Sequence, residues 1–139
     1  MHRPDAPRSA DLQCFMYHSQ LASEALQSQV PAIVKTARRF NPQANITGML
    51  VFDGAHFCQY LEGPSPALQI LIARIAQDAR HTAFTPQHYG PLEGERRFAH
   101  WALGYADLDA PLSLQQLQAF QGDAALTQFV ALLPSLDMA

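Results

Sequence analysis

Two apolar stretches, Ile46 to Phe52 and His56 to Leu61, are separated only by Asp53, Gly54 and Ala55. An Asp-Gly pair between apolar runs is a strong local signal for a tight hairpin. The middle of the chain is therefore predicted to be an antiparallel strand pair, and Gly63-Pro64 ends the returning strand. A helical pattern flanks the pair on each side. Over Ser23 to Phe40, Leu26, Val30, Ile33, Val34 and Ala37 fall on one face at helical spacing. Ser23 suits an N-cap, Pro31 suits a first turn, and Asn41-Pro42 reads as the stop. Over Pro66 to Asp78, Leu68, Leu71, Ile72 and Ile75 point inward.

Shorter strand signals complete the set. Leu12 to Tyr17 comes first; Phe84 to Tyr89 and Arg97 to Tyr105 follow the second helix, with a turn at Glu93-Gly94-Glu95. The order β-α-β-β-α-β-β predicts a ferredoxin-like α+β sandwich with both helices on one sheet face. That leaves the other face bare. Apolar helices near Leu114 to Phe120 and Ala124 to Leu133 are the expected cover. The chain thus divides into a loose tail over 1–11, a domain over 12–106 and a helical extension over 107–139.

At 139 residues and 48% hydrophobic content the chain suits one domain with a real core. Its net charge of −3 argues against a nucleic-acid partner held by phosphate attraction. Cys14 and Cys58 each lie in an apolar run and read as buried thiols of a cytoplasmic protein. No stretch is long and apolar enough to span a bilayer, and Met1 to Asp11 lacks the apolar core of a secretion signal. The six histidines show no metal-ligand spacing. There is no glycine-rich phosphate loop, nucleophile elbow or evident carboxylate pair, so no enzyme is expected.

Strand alternation gives the first functional clue. Phe57, Gln59 and Leu61 share a face, which puts a carboxamide between two large apolar side chains. A buried amide needs partners; an unmatched polar group costs roughly 1–3 kcal/mol. Phe15, Tyr17 and Ser19 share a face of the first strand, so Tyr17 can supply a phenol if the two strands are neighbours. On the last strand Trp101 and Leu103 share a face with Ala99. Asn41 by itself reads as a helix stop, and Arg80-His81 as a solvated pair after a helix.

Several short segments, in order, resemble the BLUF domains, the sensors of blue light using flavin. They are Tyr17-His18-Ser19; Asn41; Ile46-Thr47-Gly48-Met49-Leu50; Phe57-Cys58-Gln59-Tyr60-Leu61-Glu62-Gly63; Asp78-Ala79-Arg80-His81; and Arg97-Phe98-Ala99-His100-Trp101. The resemblance runs from about Gln13 to Ala106. It implies a flavin, FAD with FMN or riboflavin as alternatives, held noncovalently between the two helices. It implies Tyr17 as photochemical donor, Gln59 as the switching amide and Trp101 as the aromatic that responds. Asn41, Asp78, Arg80 and His81 would then meet the polar edge of the ring, and Ile33, Phe57 and Ile75 would line the apolar slot.

Two positions depart from the family pattern. Phe40 stands where many members carry a polar or basic residue, and Leu103 stands where many have Met. The first leaves open a light-blind ligand-binding or interaction module in which Phe40 closes the slot. An acylphosphatase-like hydrolase on the same fold is disfavoured, because the loop after the first strand has no Arg. The short C-terminal extension implies output through contacts with a separate downstream protein or within a homo-oligomer.

Overall fold

The computed structural model describes residues 11–22, 27–106 and 113–138. Apart from Asp11, the expected tail lies outside these, as do Ser23 and Leu26. Six strands form one sheet in the order β4-β1-β3-β2-β5-β6. They are β1 (Leu12–Leu21), β2 (Thr47–Phe52), β3 (His56–Pro64), β4 (His81–Pro91), β5 (Trp101–Tyr105) and β6 (Asp137–Met138). The first four neighbours pair antiparallel, and β5 joins β2 in parallel. Helices α1 (Val30–Gln43) and α2 (Ser65–Gln77) pack on one face; α3 (Leu114–Leu117) and α4 (Gly122–Leu132) lie on the other. This is the ferredoxin-like arrangement with both sheet faces covered.

The central hairpin forms for the local reason its sequence suggests. Asp53 Oδ1 accepts from the N–H groups of Ala55 and His56 at 2.9 and 2.7 Å, and Gly54 takes φ +99°. A short acidic side chain bonding forward, followed by glycine in left-handed space, makes a stable turn.

Strand alternation then splits the core in two. Phe15, Tyr17, Leu50, Phe57, Leu61, Trp101 and Leu103 face α1 and α2. Cys14, Met16, Val51, Cys58 and Tyr60 face the opposite way, against Leu114, Leu117, Leu126, Phe129 and Leu132. Both cysteines are free and buried. Burying a side chain the size of Phe129, 1% exposed, contributes about 1.5–3 kcal/mol, which makes the C-terminal cover a substantial part of the core.

Besides β1, which runs on to Leu21 past its expected end at Tyr17, three boundaries differ from expectation. Asn41-Pro42 does not stop α1, which continues to Gln43. Proline in a last turn forfeits one hydrogen bond, and the stop is Asn45 at φ +60°. The last long strand begins at Trp101 rather than Arg97. There the fully buried Glu62 carboxylate takes the Arg97 N–H at 2.7 and 2.8 Å, diverting that backbone from a ladder, so Ala99 shares no strand face with Trp101.

 

Ala99 lies instead in the irregular stretch that leads into β5. Third, β4 runs from His81 to Pro91, longer at both ends than its apolar pattern suggests, and β6 adds a short sixth strand beside β5.

The length of β4 includes a bulge at Gln87. Met16 pairs with His88 and Tyr17 with Pro86, so Gln87 is the extra residue. A bulge re-aims a side chain. Here the buried Gln87 Nε2 donates to the carbonyls of Leu117 and Phe120 at 3.0 and 3.1 Å, tying the end of α3 to the sheet. Gln87→Leu is expected to orphan these acceptors and lower stability by about 1–3 kcal/mol, read as a lower urea midpoint at unchanged slope.

Candidate functional site

The sheet register brings three of the candidate side chains together. Tyr17 on β1 lies directly opposite Gln59 on β3. On the other side of β3, Gln59 faces Leu50 of β2, and Gly48 of β2 pairs with Trp101 of β5. Gly48 takes φ +151°, and a Cβ there would come within 2.0 Å of the Tyr60 carbonyl oxygen. Only glycine lets the three strands close up at this point.

Gln59 Nε2 donates to the Tyr17 hydroxyl at 2.8 Å, and Trp101 Nε1 donates to Gln59 Oε1 at 2.9 Å. All three residues are buried. The donor pattern fixes the direction of the amide. An indole N–H only donates, so the amide oxygen must face Trp101 and its NH2 group must face Tyr17. Burial pushes the Tyr17 phenol above its ordinary range, against the opposing effect of the Gln59 bond, and so keeps it protonated. Phe84 packs against the Tyr17 ring, with centroids 4.9 Å apart.

Above this triad a cavity of about 310 Å³ opens between α1 and α2. Small-molecule sites span about 300–1,000 Å³ and combine apolar walls with a few polar groups. Every site residue expected from the sequence lines it: Tyr17, Ile33, Asn41, Phe57, Gln59, Ile75, Asp78, Arg80, His81 and Trp101. Thr36, Ala37, Leu50, Leu71 and Arg74 join them. Leu71 and Arg74 were legible as neighbours of Ile75 and Asp78 on one helical stripe; Leu50 follows from its register with Gln59. Phe40 lines the cavity without filling it.

The polar groups divide into engaged and open ones. Asp78 and Arg80 hold each other through contacts of 2.6 to 3.2 Å, and the Arg80 guanidinium holds the Asp78 carboxyl below its usual range. His81 is also occupied: Nε2 donates to the Ile75 carbonyl, and Nδ1 meets Ser19 Oγ at 2.8 Å. Asn41 differs. It is 1% exposed, and its Oδ1 has no hydrogen-bond partner. A buried unpaired carbonyl on a cavity wall fits a ligand that presents a donor. An apolar slot with such an acceptor suits a planar heteroaromatic ring with a polar edge, which is what a flavin offers.

Among the described residues, no helix is long and apolar enough to cross a membrane, and no group of three or more His, Cys, Asp or Glu could hold a metal ion.

The family model described as sensors of blue light using FAD matches residues 12–104. The photoactivated adenylate cyclase subunit beta of Euglena longa is 34% identical over 113 residues, which cover 81% of this chain and 13% of that protein. The blue light- and temperature-regulated antirepressor BluF of Escherichia coli (strain K12) is 36% identical over 70 residues, 50% of this chain and 17% of that one. The chain therefore spans less than a fifth of the length of these relatives. The ground-state structure of BlsA shares the fold with a TM-score of 0.74 at 22% identity, covering 92% of this chain and 91% of that one. The chain belongs to the BLUF family, the flavin-binding sensors of blue light.

Proposed function

We propose that this chain binds FAD noncovalently between α1 and α2 and reports blue light by reversing the Gln59 amide. The observation that carries the reading is the Gln59 carboxamide strung between Tyr17 and Trp101 on the cavity wall. Asn41, Asp78, Arg80 and His81 hold the polar edge of the ring, and Ile33, Phe57 and Ile75 its apolar faces. Bound flavin supplies absorption of blue light and, once excited, the power to oxidise a phenol. Tyr17 is the phenol that would lend an electron and then its proton to the excited ring and recover both as the amide reverses, so that nothing is consumed.

The amide makes the site bistable. At Tyr17 both orientations are acceptable, because a hydroxyl accepts from NH2 or donates to C=O. At Trp101 only C=O serves. A reversed amide therefore satisfies Tyr17 and leaves the indole N–H facing another donor. That loss, about 1–3 kcal/mol in a buried site, keeps the reversed form a minority in the dark and returns the network after illumination.

Trp101 opens β5, so its displacement loads the strand that carries β6 and the C-terminal segment. Cys58, next to Gln59, points to the other face, where its thiol lies 4.0 Å from Gln87 Oε1. Both routes end at the C-terminal helices. In our reading the region 12–106 is the sensor and 107–139 the output, acting through contacts with a downstream protein or a second copy of the chain rather than by catalysis. A tenfold change in such an affinity requires only about 1.4 kcal/mol between states. Two buried free thiols favour a cytoplasmic setting.

Absorption spectra before and after blue light, followed into darkness, test the proposal. A reversible red shift of a bound flavin is expected; protein that takes up no flavin, or flavin that does not respond, overturns it. Asn41→Ala should weaken flavin binding about tenfold by removing the open acceptor, measured by fluorescence titration of flavin-free protein. An unchanged affinity would remove Asn41 from the binding set.

A further inference from the structure

The mouth of the cavity carries an unbalanced charge. Thr36 and Phe40 stand one turn apart on α1, and Arg74 lies in the last turn of α2, which Asp78 follows. Thr36 and Arg74 are exposed, whereas Asn41, Phe57 and Gln59 are buried, so the first pair marks where the cavity meets solvent. Three charged side chains line the space: Arg74, Asp78 and Arg80. Asp78 and Arg80 neutralise each other through their two-point contact. Among the described residues no carboxylate pairs with Arg74. Its guanidinium lies instead over the Phe40 ring, 5.0 Å from the centroid.

Stacking of this kind orients an arginine without consuming its donors. An aromatic ring attracts the cation through its π face and accepts no N–H bond, so the guanidinium donors remain available. A planar fork of donors matches the oxygens of a phosphate. Phe40 thus holds a cation where the slot meets solvent, across the cavity from the buried Tyr17-Gln59-Trp101 network.

Resting on the flavin reading above, we propose that Arg74 binds the phosphate of a phosphorylated flavin, so that the site takes FMN and FAD in preference to riboflavin. The proposal concerns the tail of the ligand, not the ring, and makes Phe40 the positioning residue for Arg74. Because Arg74 is exposed, the preference is moderate and sensitive to salt.

Flavin-free wild type, Arg74→Met and Arg74→Lys are titrated with riboflavin, FMN and FAD at low salt and at about 0.5 M salt. FMN and FAD are expected to bind wild type about three- to tenfold more tightly than riboflavin at low salt. The preference should shrink toward one at high salt and in Arg74→Met, and be retained in part by Arg74→Lys. Riboflavin affinity should stay within about twofold in Arg74→Met, which shows an intact slot. An equal FMN-to-riboflavin ratio in wild type and Arg74→Met overturns the proposal while leaving the flavin reading standing. Wild type that takes up none of the three compounds overturns both.

Discussion

Gln59→Leu is expected to keep its flavin and lose the reversible red shift entirely. Leucine matches the amide closely enough in size to preserve the wall beside Phe57 and Leu50, and the cavity residues that would grip the ring are untouched. What disappears is the carboxamide that donates to Tyr17 and accepts from Trp101. The Tyr17 hydroxyl loses its donor and the Trp101 N–H its acceptor. Leaving the buried indole unpaired costs about 1–3 kcal/mol, so a modest fall in thermal stability accompanies the loss of switching. The check is a light-minus-dark spectrum of the variant with flavin bound. A wild-type red shift and dark recovery would remove Gln59 from the mechanism.

Tyr17→Phe separates the donor from the switch. The dark spectrum is expected to stay nearly unchanged, because the ring still packs on Phe84 and only the hydroxyl is lost. Red-shifted product should fall to background, since phenylalanine gives up neither electron nor proton under these conditions. The amide NH2 loses its acceptor, a change of roughly 1 kcal/mol in folding stability. Burial raises the Tyr17 phenol above its ordinary range, so wild-type switching should be insensitive to pH around neutrality. Robust photoproduct in Tyr17→Phe, measured by flash absorption, would show that another donor such as Trp101 is sufficient.

The fold was legible wherever local chemistry decided it. Asp53-Gly54 announced the hairpin, the spacing of Val30, Ile33, Val34 and Ala37 announced α1, and the apolar C-terminal helices announced the second layer. Elements set by distant partners were not. The start of β5 depends on the buried Glu62 carboxylate, whose grip on the Arg97 N–H spans the chain. The bulge at Gln87 answers to carbonyls of the C-terminal segment. Asn41 looked like a helix stop because local rules reward it there; its burial against the cavity is a property of the assembled layers.

At the site, alternation alone put Tyr17 and Gln59 on inward faces, and the register then placed them opposite one another. Periodicity could not reveal that Trp101 donates to Gln59, because β5 joins β2 in parallel, far along the chain. Nor could it reveal that Asp78 and Arg80 spend their charges on each other while Arg74 lies on Phe40. These pairings depend on how two helices meet over the sheet.

The chain has one tryptophan, so its indole gives a single N–H resonance. Following that resonance in flavin-loaded protein, in darkness and under continuous blue light, observes the amide from the side where its direction matters. We expect the signal to move as Trp101 loses its acceptor, to return in the dark, and to be insensitive to light in Gln59→Leu. A full reversible red shift with the indole resonance unmoved would contradict a light-driven reversal of Gln59.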